Sequence, residues 1–372
     1  MKVLQLTAHF SPNVGGVETH LSDLTDFLSK KDWKVFVLTY SPLTTKAKWK
    51  IYEKTKNVSI LRIPWLSGLF FRLIPYPILE FLYLLPGLLL FTPFIILLNK
   101  PEVIHAHGLV AGGVAVFWGK LFKIRTVISL HSIYSFPKEG LYRKFVKLIF
   151  RNSDHILGLS KQSVIEIKSL GIPEEKASNF TYWIDVEKFK KIPDAKQKLK
   201  WNNKFVVLFV GRLIPEKGVK ELLKTSMLWN KEITLVVAGV GPLEEDVRKY
   251  ILENQKILFL GGIDNHMLPL YYSASDLLIV PSVSEEGFGR VIIEALACEL
   301  PVIGANRGAI PEAMDNSVGK LINITPENIA KTVNYFYNNP RELTILKKKA
   351  REFAIKRYSE KNAQGIIKFY SK

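Results

Sequence analysis

The sequence predicts an α/β protein built from two doubly wound domains, and three observations carry this prediction. The chain has 372 residues, too many for one ordinary core and about right for two domains. Strand-like runs alternate with helical patterns almost throughout, which is typical of parallel sheets covered by helices. The alternation stops at a connection, made of residues 181–189 and the polar stretch after them, and then restarts. A pattern that runs twice in this way indicates two domains facing each other.

Six apolar runs in the first half are predicted to be strands. They span residues 2–7, 34–39, 58–63, 102–106, 125–130 and 155–160. With the helical patterns between them, they predict an N-terminal Rossmann-like domain over residues 1–182.

Six further runs follow the connection, at residues 205–210, 233–239, 257–261, 276–282, 301–304 and 319–323. They predict a second Rossmann-like domain over residues 183–358. A last helix, within 359–372, carries an apolar face and has no strand after it. We expect this helix to pack back on the N-terminal domain.

An apolar segment at 66–98 interrupts the first domain. Its second part, 81–98, has eighteen residues without a charge, which is long enough for a transmembrane helix. Pro86, Gly87 and Pro93 are expected to interrupt that helix. A single crossing would also separate two strands that the fold places in one sheet. The sequence therefore favours helices that dip into one leaflet, with a buried core hairpin and a true span as the alternatives.

Charge and cysteine content narrow the class of protein. The net charge is +18, from 52 basic and 34 acidic residues, which favours polyanionic ligands or anionic lipid. No zinc spacing or RNA-binding aromatic pattern accompanies it, so we do not expect nucleic acid as a partner. The one cysteine, Cys298, and an N-terminus without signal-peptide features predict a cytoplasmic protein.

Two loops after predicted strands can hold phosphate groups. Gly15 and Gly16 lie between the first strand and the first helix, where paired glycines let backbone N–H groups approach an anion. A plain strand-to-helix turn explains them equally well. Arg212 and Lys217 occupy the same position in the second domain, in a loop that ends at Gly218. Two cations beside a helix N-terminus suit a diphosphate.

A pair of glutamates stands in "EEGFGRVIIEALA", one on each side of a glycine-rich turn. Gly287 and Gly289 let the loop backbone face a ligand at the start of a helix. Glu286 then accepts hydrogen bonds from hydroxyls just outside the helix. Glu294, two turns further on, is placed for a vicinal diol such as a ribose offers. The pattern predicts a nucleotide sugar as the ligand.

Three histidines end two neighbouring predicted strands: His105, His107 and His131. A metal site would need further acidic or histidine ligands at suitable spacing, and the sequence offers none. We expect His131 to project towards the ligand and to bond to a transferred sugar or stabilise developing charge.

With these motifs in place, the chain resembles the retaining glycosyltransferases of family 4, which have the two-domain GT-B fold. The resemblance extends over nearly the whole chain, and its most specific part is the two-glutamate block together with the Arg–Lys loop. It rests on "SPNVGGVETH", "VIHAHG", "SLHS", "VGRLIPEKGVKELL", "GVGP", "SASDLLIVPSVSEEGFGRVIIEALACELPVIG" and "RYSEKNAQGIIKFYSK".

The resemblance implies roles for these residues. Arg212 and Lys217 would bind the donor diphosphate, Glu286 the sugar hydroxyls and Glu294 the ribose, while His131 would lie near the reacting carbon. The implied donor-binding residues are Gly15, Gly16, Arg212, Lys217, Gly261, Glu286, Gly287, Phe288, Gly289 and Glu294, and the implied catalytic residues are His131, Glu286, Arg212 and Lys217.

The family's usual proposal is a front-face substitution in which the leaving diphosphate helps to deprotonate the acceptor. That scheme retains the anomeric configuration and needs neither a metal nor a cofactor, with positive side chains stabilising the leaving group. The chain departs from the family at the interdomain link. It reads Tyr182-Trp183-Ile184-Asp185, where relatives often have Asn-Gly-Val-Asp, so we expect altered hinge geometry.

The apolar segment and the positive charge together predict a lipid-linked or glycan acceptor reached from the inner face of the cell membrane, with the protein bound peripherally. A basic stretch could rest on anionic lipid or be a solvated helix face. It contains Lys138, Arg143, Lys144, Lys147 and Arg151 among Tyr142, Phe145 and Phe150. The alternative function is a non-catalytic nucleotide-sugar-binding membrane subunit that supports a partner transferase. A nucleotide-sugar epimerase fits the intact motifs less well.

Overall fold

The structure is a computed structural model that divides into two compact units. The N-terminal unit contains residues 1–182 and 362–372, and the C-terminal unit contains residues 183–361. Residues 1–45, 47–67, 70–73 and 76–371 are described. Each unit has its own sheet and its own apolar core. The α/β class with two doubly wound domains is therefore confirmed.

The N-terminal sheet has eight strands in the order β3-β4-β2-β1-β5-β6-β7-β8. All neighbouring pairs are parallel except β3 with β4. The strands are β1 (Lys2–Thr7), β2 (Lys34–Tyr40), β3 (Tyr52–Lys54), β4 (Val58–Ile63), β5 (Val103–His107), β6 (Arg125–Leu130), β7 (His155–Gly158) and β8 (Ala177–Asn179). Six of them confirm the predicted strands, and the two short edge strands β3 and β8 were missed.

Six α-helices within residues 1–182 pack around this sheet in the described part of the chain. They are α1 (Gly16–Lys30), α2 (Phe70–Leu73), α3 (Pro77–Asn99), α4 (Leu109–Phe122), α5 (Leu141–Asn152) and α6 (Lys161–Ser169). Ser160 caps α6, because its side chain accepts a hydrogen bond from the Ser163 N–H.

The C-terminal sheet has six parallel strands in the order β11-β10-β9-β12-β13-β14. They are β9 (Phe205–Val210), β10 (Ile233–Ala238), β11 (Ile257–Gly261), β12 (Leu277–Val280), β13 (Val302–Ala305) and β14 (Gly319–Ile322), and all six were predicted. The helices are α7 (Ala195–Lys198), α8 (Val219–Ser226), α9 (Glu244–Glu253), α10 (Leu268–Ala274), α11 (Arg290–Ala297), α12 (Ile310–Ala313), α13 (Pro326–Asn338) and α14 (Pro340–Arg357).

The last helix, α15 (Lys361–Ile367), begins two residues later than the sequence suggests. The segment after it is bound to three strands of the N-terminal sheet. The Tyr370 hydroxyl lies 2.5 Å from His105 Nδ1, and Arg125 Nε donates to the Phe369 carbonyl at 2.7 Å. The Phe369 ring also stacks on His155 at 3.7 Å. The chain therefore ends inside the N-terminal unit.

Helix α3 corrects the prediction that Pro86, Gly87 and Pro93 interrupt the apolar segment, because it continues through all three. Two distant side chains bond to the backbone of this helix. The Tyr40 hydroxyl donates to the Leu84 carbonyl and accepts from the Leu88 N–H at 3.0 Å, so it is inserted into one helical hydrogen bond.

Pro93 is accommodated by the other side chain. Pro93 has no N–H, so the Leu89 carbonyl loses its helical donor. The indole Nε1–H of Trp118, on α4, donates to that carbonyl at 2.9 Å. Helix α3 is therefore bound to the sheet through Tyr40 and to α4 through Trp118.

Helix α3 is long and apolar enough to cross a membrane by length and composition, and 28% of its apolar window is buried. So small a buried share does not fit the alternative of a buried core hairpin. Residues 68, 69, 74 and 75 of the predicted segment lie outside the described residues.

The basic stretch on α5 divides into buried and exposed parts. Phe150 is fully buried, so its predicted place at a lipid surface is wrong. Arg143 donates to the carbonyls of Pro137 and Ser169. Lys144 and Arg151 are exposed. The outer face of α5 therefore combines cations with the apolar side chains of Leu141, Phe145 and Leu148.

Replacing Gly87 with alanine tests the insertion of Tyr40. The added Cβ would lie 2.5 Å from Tyr40 Cε1, so the ring must leave the helix or the helix must shift. We expect Gly87→Ala to lower the free energy of unfolding by about 1–3 kcal/mol, as overpacking does. The measurement is denaturant unfolding.

Gly365→Ala is the matched control, since Gly365 lies in α15 and a Cβ there meets nothing within 4 Å. It should be neutral or slightly stabilising. Equal effects of the two substitutions would show that Tyr40 does not constrain α3.

Candidate active site

The candidate site residues of the C-terminal unit lie where the strand order of the sheet reverses. The chain runs from β9 outwards to β11 and then returns to β12, which pairs with β9. The loops that follow β9 and β12 therefore leave the same edge of the sheet side by side. Ligands of doubly wound sheets bind at such switch points. In the N-terminal sheet the corresponding pair is β1 and β5.

An ion pair joins the two loops of the C-terminal unit. Lys217 Nζ lies 2.6 Å from both carboxylate oxygens of Glu286. The Ser282 hydroxyl donates to Glu286 Oε2 at 2.7 Å. The Glu286 side chain is only 14% exposed and that of Lys217 24%. The predicted diphosphate-binding and sugar-binding residues are thus in direct contact.

The charges around Glu286 keep it ionised. Burial acts to raise the pKa of its carboxyl, but the charge and hydrogen bonds of Lys217, the Ser282 hydroxyl and the charge of Arg212 outweigh it. The net result is a pKa below the usual range. Glu286 is therefore a hydrogen-bond acceptor for ligand hydroxyls at neutral pH.

Close backbone packing fixes the position of Lys217. The residue ends a 3₁₀ turn (Pro215–Lys217) and is followed by Gly218 at φ 68°. A Cβ on Gly218 would collide with the Pro281 carbonyl at the end of β12. Only glycine therefore lets the loop after β9 lie directly against the loop that carries Glu286.

Helix α11 starts inside the predicted anion-binding loop. Gly289 is its N-cap residue at φ 71°, and no side chain caps it, so its first N–H groups lack a side-chain acceptor. Such a helix start binds anions. Gly287 lies in the same loop, and the side chain of Phe288 is buried against Tyr358, so the Phe288 backbone alone is suited to contact a ligand.

Glu294 lies on α11, where its carboxylate is held from two sides. It is 2% exposed, Arg290 Nε donates to its Oε1 at 2.9 Å, and the Tyr272 hydroxyl donates to its Oε2 at 3.0 Å. Its role as the ribose ligand stays a prediction. The structure adds that the carboxylate is already oriented.

Gly261, another predicted donor-binding residue, lies at the edge of the C-terminal sheet, where β10 separates β11 from β9. Gly261 ends β11 at φ 67°, and its carbonyl accepts from the Gly239 N–H at 2.7 Å. The guanidinium of Arg248 lies 5.1 Å from the Phe259 ring centre. Contact of Gly261 with the donor stays a prediction.

The glycine pair of the N-terminal unit is held by a neighbouring loop. Gly15 is the N-cap of α1, and Gly16 is its first residue. The Asn13 side-chain oxygen accepts hydrogen bonds from the N–H groups of Leu43 and Thr44 at 3.0 Å each. The backbone amides at the start of α1 are thus positioned, and donor contact through them stays a prediction.

His131 is enclosed in a hydrogen-bonded network. Its Nδ1 lies 3.1 Å from the Tyr182 hydroxyl, and its Nε2 lies 3.1 Å from His107 Nδ1. It is 8% exposed. To bond to a sugar as predicted, His131 would have to give up one of these two partners.

Burial keeps the histidine network neutral. It lowers the pKa of both His105 and His131 to about 3, with a further contribution from His131 at His105. Burial and the neighbouring histidines hold the pKa of His107 well below its usual range. His131 is therefore a neutral imidazole at physiological pH, the weaker of its two predicted forms for stabilising negative charge.

Among the residues that the structure describes, no group of three or more His, Cys, Asp and Glu side chains could hold a metal ion. His105 is bound to Tyr370 and to the Ser129 hydroxyl, not to a shared centre with the other two histidines. The Cys298 thiol is buried, which raises its pKa and fits the predicted packing role.

Two family models match the chain. Residues 14–188 match the model described as Glycosyltransferase Family 4, and residues 191–353 match Glycosyl transferases group 1. The chain belongs to glycosyltransferase family 4. A relative is the phosphatidylinositol N-acetylglucosaminyltransferase GPI3 subunit of Saccharomyces cerevisiae, 23% identical over 85% of this chain and 70% of the relative.

Solved structures show that this glycosyltransferase has the GT-B fold. Sucrose-phosphate synthase from Thermosynechococcus elongatus superposes with a TM-score of 0.83 at 21% identity, covering 99% of this chain and 98% of the other. Anabaena Alr3699/HepE in complex with UDP and glucose superposes with a TM-score of 0.79 at 20% identity, covering 100% and 99%.

The sequence analysis did not identify four residues that contact the predicted site residues of this glycosyltransferase. Ser282 bonds to Glu286, Tyr272 and Arg290 bond to Glu294, and Tyr182 bonds to His131. Arg290 precedes Glu294 by four residues, one helical turn, and that spacing could have revealed it. The spacing between Ser282 and Glu286 is also four, but it spans a loop and carries no such signal. Tyr272 and Tyr182 are distant from their partners in sequence.

The buried network predicts that His105, His107 and His131 do not titrate near neutral pH. In selectively ¹⁵N-histidine-labelled protein, we expect their ring nitrogens to keep neutral-form shifts from pH 7.5 down to 5. Because the folded pKa values lie below the unfolded value of about 6.5, these groups stabilise the fold fully above pH 6.5 and progressively less as the pH falls. His131→Gln assigns the His131 signals. A titration midpoint near 6.5 for any of the three would contradict this account.

Proposed function

We propose that this glycosyltransferase is a retaining, metal-independent enzyme that moves a hexosyl group from a nucleotide-diphospho-sugar to a lipid-linked or glycan acceptor at the cytoplasmic face of the membrane. The observation that carries the proposal is the ion pair of Glu286 and Lys217 at the switch point of the C-terminal sheet. It combines an ionised acceptor for sugar hydroxyls with a cation for phosphate.

The chemistry follows from these charges. The bond between the sugar C1 and the diphosphate oxygen breaks, the acceptor oxygen bonds to C1 on the same face, and the acceptor proton passes to the leaving diphosphate. Lys217, Arg212 and the N–H groups at the start of α11 stabilise the charge that develops on the diphosphate. Fixed cations supply the charge stabilisation that a metal gives elsewhere, which supports metal independence. Glu286 fixes the sugar through its hydroxyls.

An exposed apolar surface of the N-terminal unit supports a membrane-bound acceptor. We call it the apolar surface, and it joins three helices: the Phe81 and Phe145 rings meet edge to face at 5.1 Å between α3 and α5, and Trp118 joins α3 to α4. Its exposed members are Ile78, Leu79, Leu82, Leu90, Phe91, Phe94, Leu97, Leu98, Phe117, Leu121, Leu141, Phe145 and Leu148.

The charge at this surface matches a lipid bilayer. Lys144 and Arg151 are exposed on α5 beside its apolar side chains, and such mixed faces lie in the interface of anionic membranes. Anchoring of α3 by Tyr40 and Trp118 favours a helix lying in one leaflet over one that leaves the domain to span it. The GPI3 relative is named for transfer to phosphatidylinositol, which supports a lipid acceptor here.

A turnover assay tests the enzyme directly. The purified protein is incubated with UDP-, GDP-, ADP- and dTDP-hexoses, with and without membrane lipid extract and with EDTA, and nucleoside diphosphate release is measured. We expect release from one donor, stimulation by lipid and no inhibition by EDTA, with the product anomer matching the donor by NMR. Glu286→Ala and Lys217→Ala should each lower kcat/KM about a hundredfold or more, as loss of a charge-stabilising group does.

Glu285→Ala is the matched control for this assay, because Glu285 is the exposed neighbour of Glu286 and should be dispensable. Binding of a donor with no release from any donor would contradict the enzyme and favour the non-catalytic nucleotide-sugar-binding subunit. Inhibition by EDTA would contradict metal independence alone.

Vesicle binding tests the apolar surface. Phe94 and Leu97 are 62% and 60% exposed on α3. Replacing both with charged residues should weaken the binding of α3 to lipid. We expect the wild type to sediment with vesicles of phosphatidylcholine and phosphatidylglycerol and Phe94→Glu/Leu97→Glu to bind at least about tenfold more weakly.

Leu252→Glu is the control, since Leu252 is 85% exposed on α9 of the C-terminal unit, outside the apolar surface. It should bind vesicles like the wild type. If the Phe94→Glu/Leu97→Glu variant binds as the wild type does, the apolar surface is not the membrane contact.

A further inference from the structure

Arg290 is a buried cation at a position that helix energetics disfavour. It is the first residue of α11 and only 4% exposed. The positive end of a helix dipole is at the N-terminus, so a cation there is unfavourable. The order Arg290 before Glu294 is also the weaker orientation for a pair four residues apart. The stability of α11 therefore does not explain the arginine.

The contacts of Arg290 show what it does instead. Its Nε donates to Glu294 Oε1 at 2.9 Å, and its Nη1 donates to the Trp183 carbonyl at 3.3 Å. The guanidinium is thus fixed between the carboxylate and the backbone at the beginning of the C-terminal unit. A planar group held at two points orients a carboxylate more strictly than a flexible ammonium would.

Tyr272 holds the carboxylate from the other side. The tyrosine is fully buried on α10, and its hydroxyl donates to Glu294 Oε2 at 3.0 Å. Its pKa lies well above the usual range because of burial and the adjacent Glu294 charge, so the hydroxyl remains a donor. Both oxygens of Glu294 thus accept hydrogen bonds from side chains of the same unit.

A buried carboxylate without such partners would protonate or turn towards water. With them it is paired with a cation and held in one orientation, and a carboxylate held in this way can accept two hydrogen bonds from a vicinal diol. Preorganisation of this kind raises affinity because the binding event does not have to orient the group.

We propose that Arg290 and Tyr272 are positioning residues that hold Glu294 ready for the 2′- and 3′-hydroxyls of a ribonucleoside diphosphate. The inference rests on the proposed function, because it takes the donor to be a nucleotide sugar. The inference adds to the proposed function that Tyr272 on α10, together with Arg290 and Glu294 on α11, selects ribose over deoxyribose.

The test compares ribose and dideoxyribose ligands in binding, without turnover. UDP, GDP, ADP and dTDP are titrated into the full-length protein by calorimetry, and the ribonucleotide that binds most tightly is compared with its 2′,3′-dideoxy analogue. We expect the wild type to prefer the ribose form roughly ten- to a hundredfold, the effect of hydrogen bonds to a charged group. Arg290→Leu and Tyr272→Phe should each reduce this ratio, because the ribose form loses affinity and the dideoxy form does not.

Arg351→Leu is the matched control. Arg351 is another partly buried arginine of the same unit, and its guanidinium donates to the backbone carbonyls of Val186, Phe189 and Ala297. Its loss should lower the unfolding midpoint and leave the ratio of affinities unchanged. Tyr272→Phe removes a single hydroxyl and keeps the test decisive if Arg290→Leu does not fold.

The outcomes separate this inference from the function on which it rests. A wild-type protein that binds none of UDP, GDP, ADP and dTDP overturns both, and one that binds dTDP alone overturns the inference of a ribose site. A wild type that binds ribose and dideoxyribose forms equally, or folded variants that keep the wild-type ratio, overturns the positioning role and leaves the glycosyltransferase proposal standing.

Discussion

The candidate site depends on one interaction, the contact of Lys217 with both carboxylate oxygens of Glu286 at 2.6 Å. It exists because β9 and β12 are neighbours in space while 66 residues separate Val210 from Leu277 in sequence. Gly218 lets one loop lie against the other, and Ser282 completes the shell of donors around the carboxylate. In the proposed reaction Lys217 is shared between this carboxylate and the donor diphosphate, and the donor sugar supplies hydroxyls to Glu286.

The sequence predicts the sheets well, because buried parallel strands are apolar runs with few alternatives. All twelve predicted strands exist, and the two that escaped, β3 and β8, have three residues each, at the edges of the sheet. Helix α3 shows where local rules fail. Its prolines predict a break, but the helix continues. Trp118, remote in sequence, donates to the carbonyl that Pro93 leaves without a donor, and Tyr40 is inserted between Leu84 and Leu88. Tertiary contacts of this kind leave no local pattern.

The site was predictable in its members but not in its electrostatics. Motif spacing identified Glu286, Lys217 and Glu294, yet it could not show that Arg290 and Tyr272 hold Glu294. Nor could it show that both ring nitrogens of His131 are engaged and that the ring is neutral. Burial and partner choice set those properties, and both arise from the packed fold. Sequence motifs therefore identify the side chains of the candidate site, whereas the protonation and orientation of those side chains can be seen only in the structure.

The central claim is that Lys217 is shared between Glu286 and the donor diphosphate, and Glu286→Gln tests it most directly. The neutral amide would release Lys217, so calorimetry should find a free nucleoside diphosphate bound as tightly as by the wild type, or more tightly. The matching nucleotide sugar should bind more weakly relative to that diphosphate, because the carboxylate acceptor for the sugar hydroxyls is lost. If the substitution weakens both ligands equally, Glu286 supports the loop as a whole and the account of a shared lysine is wrong.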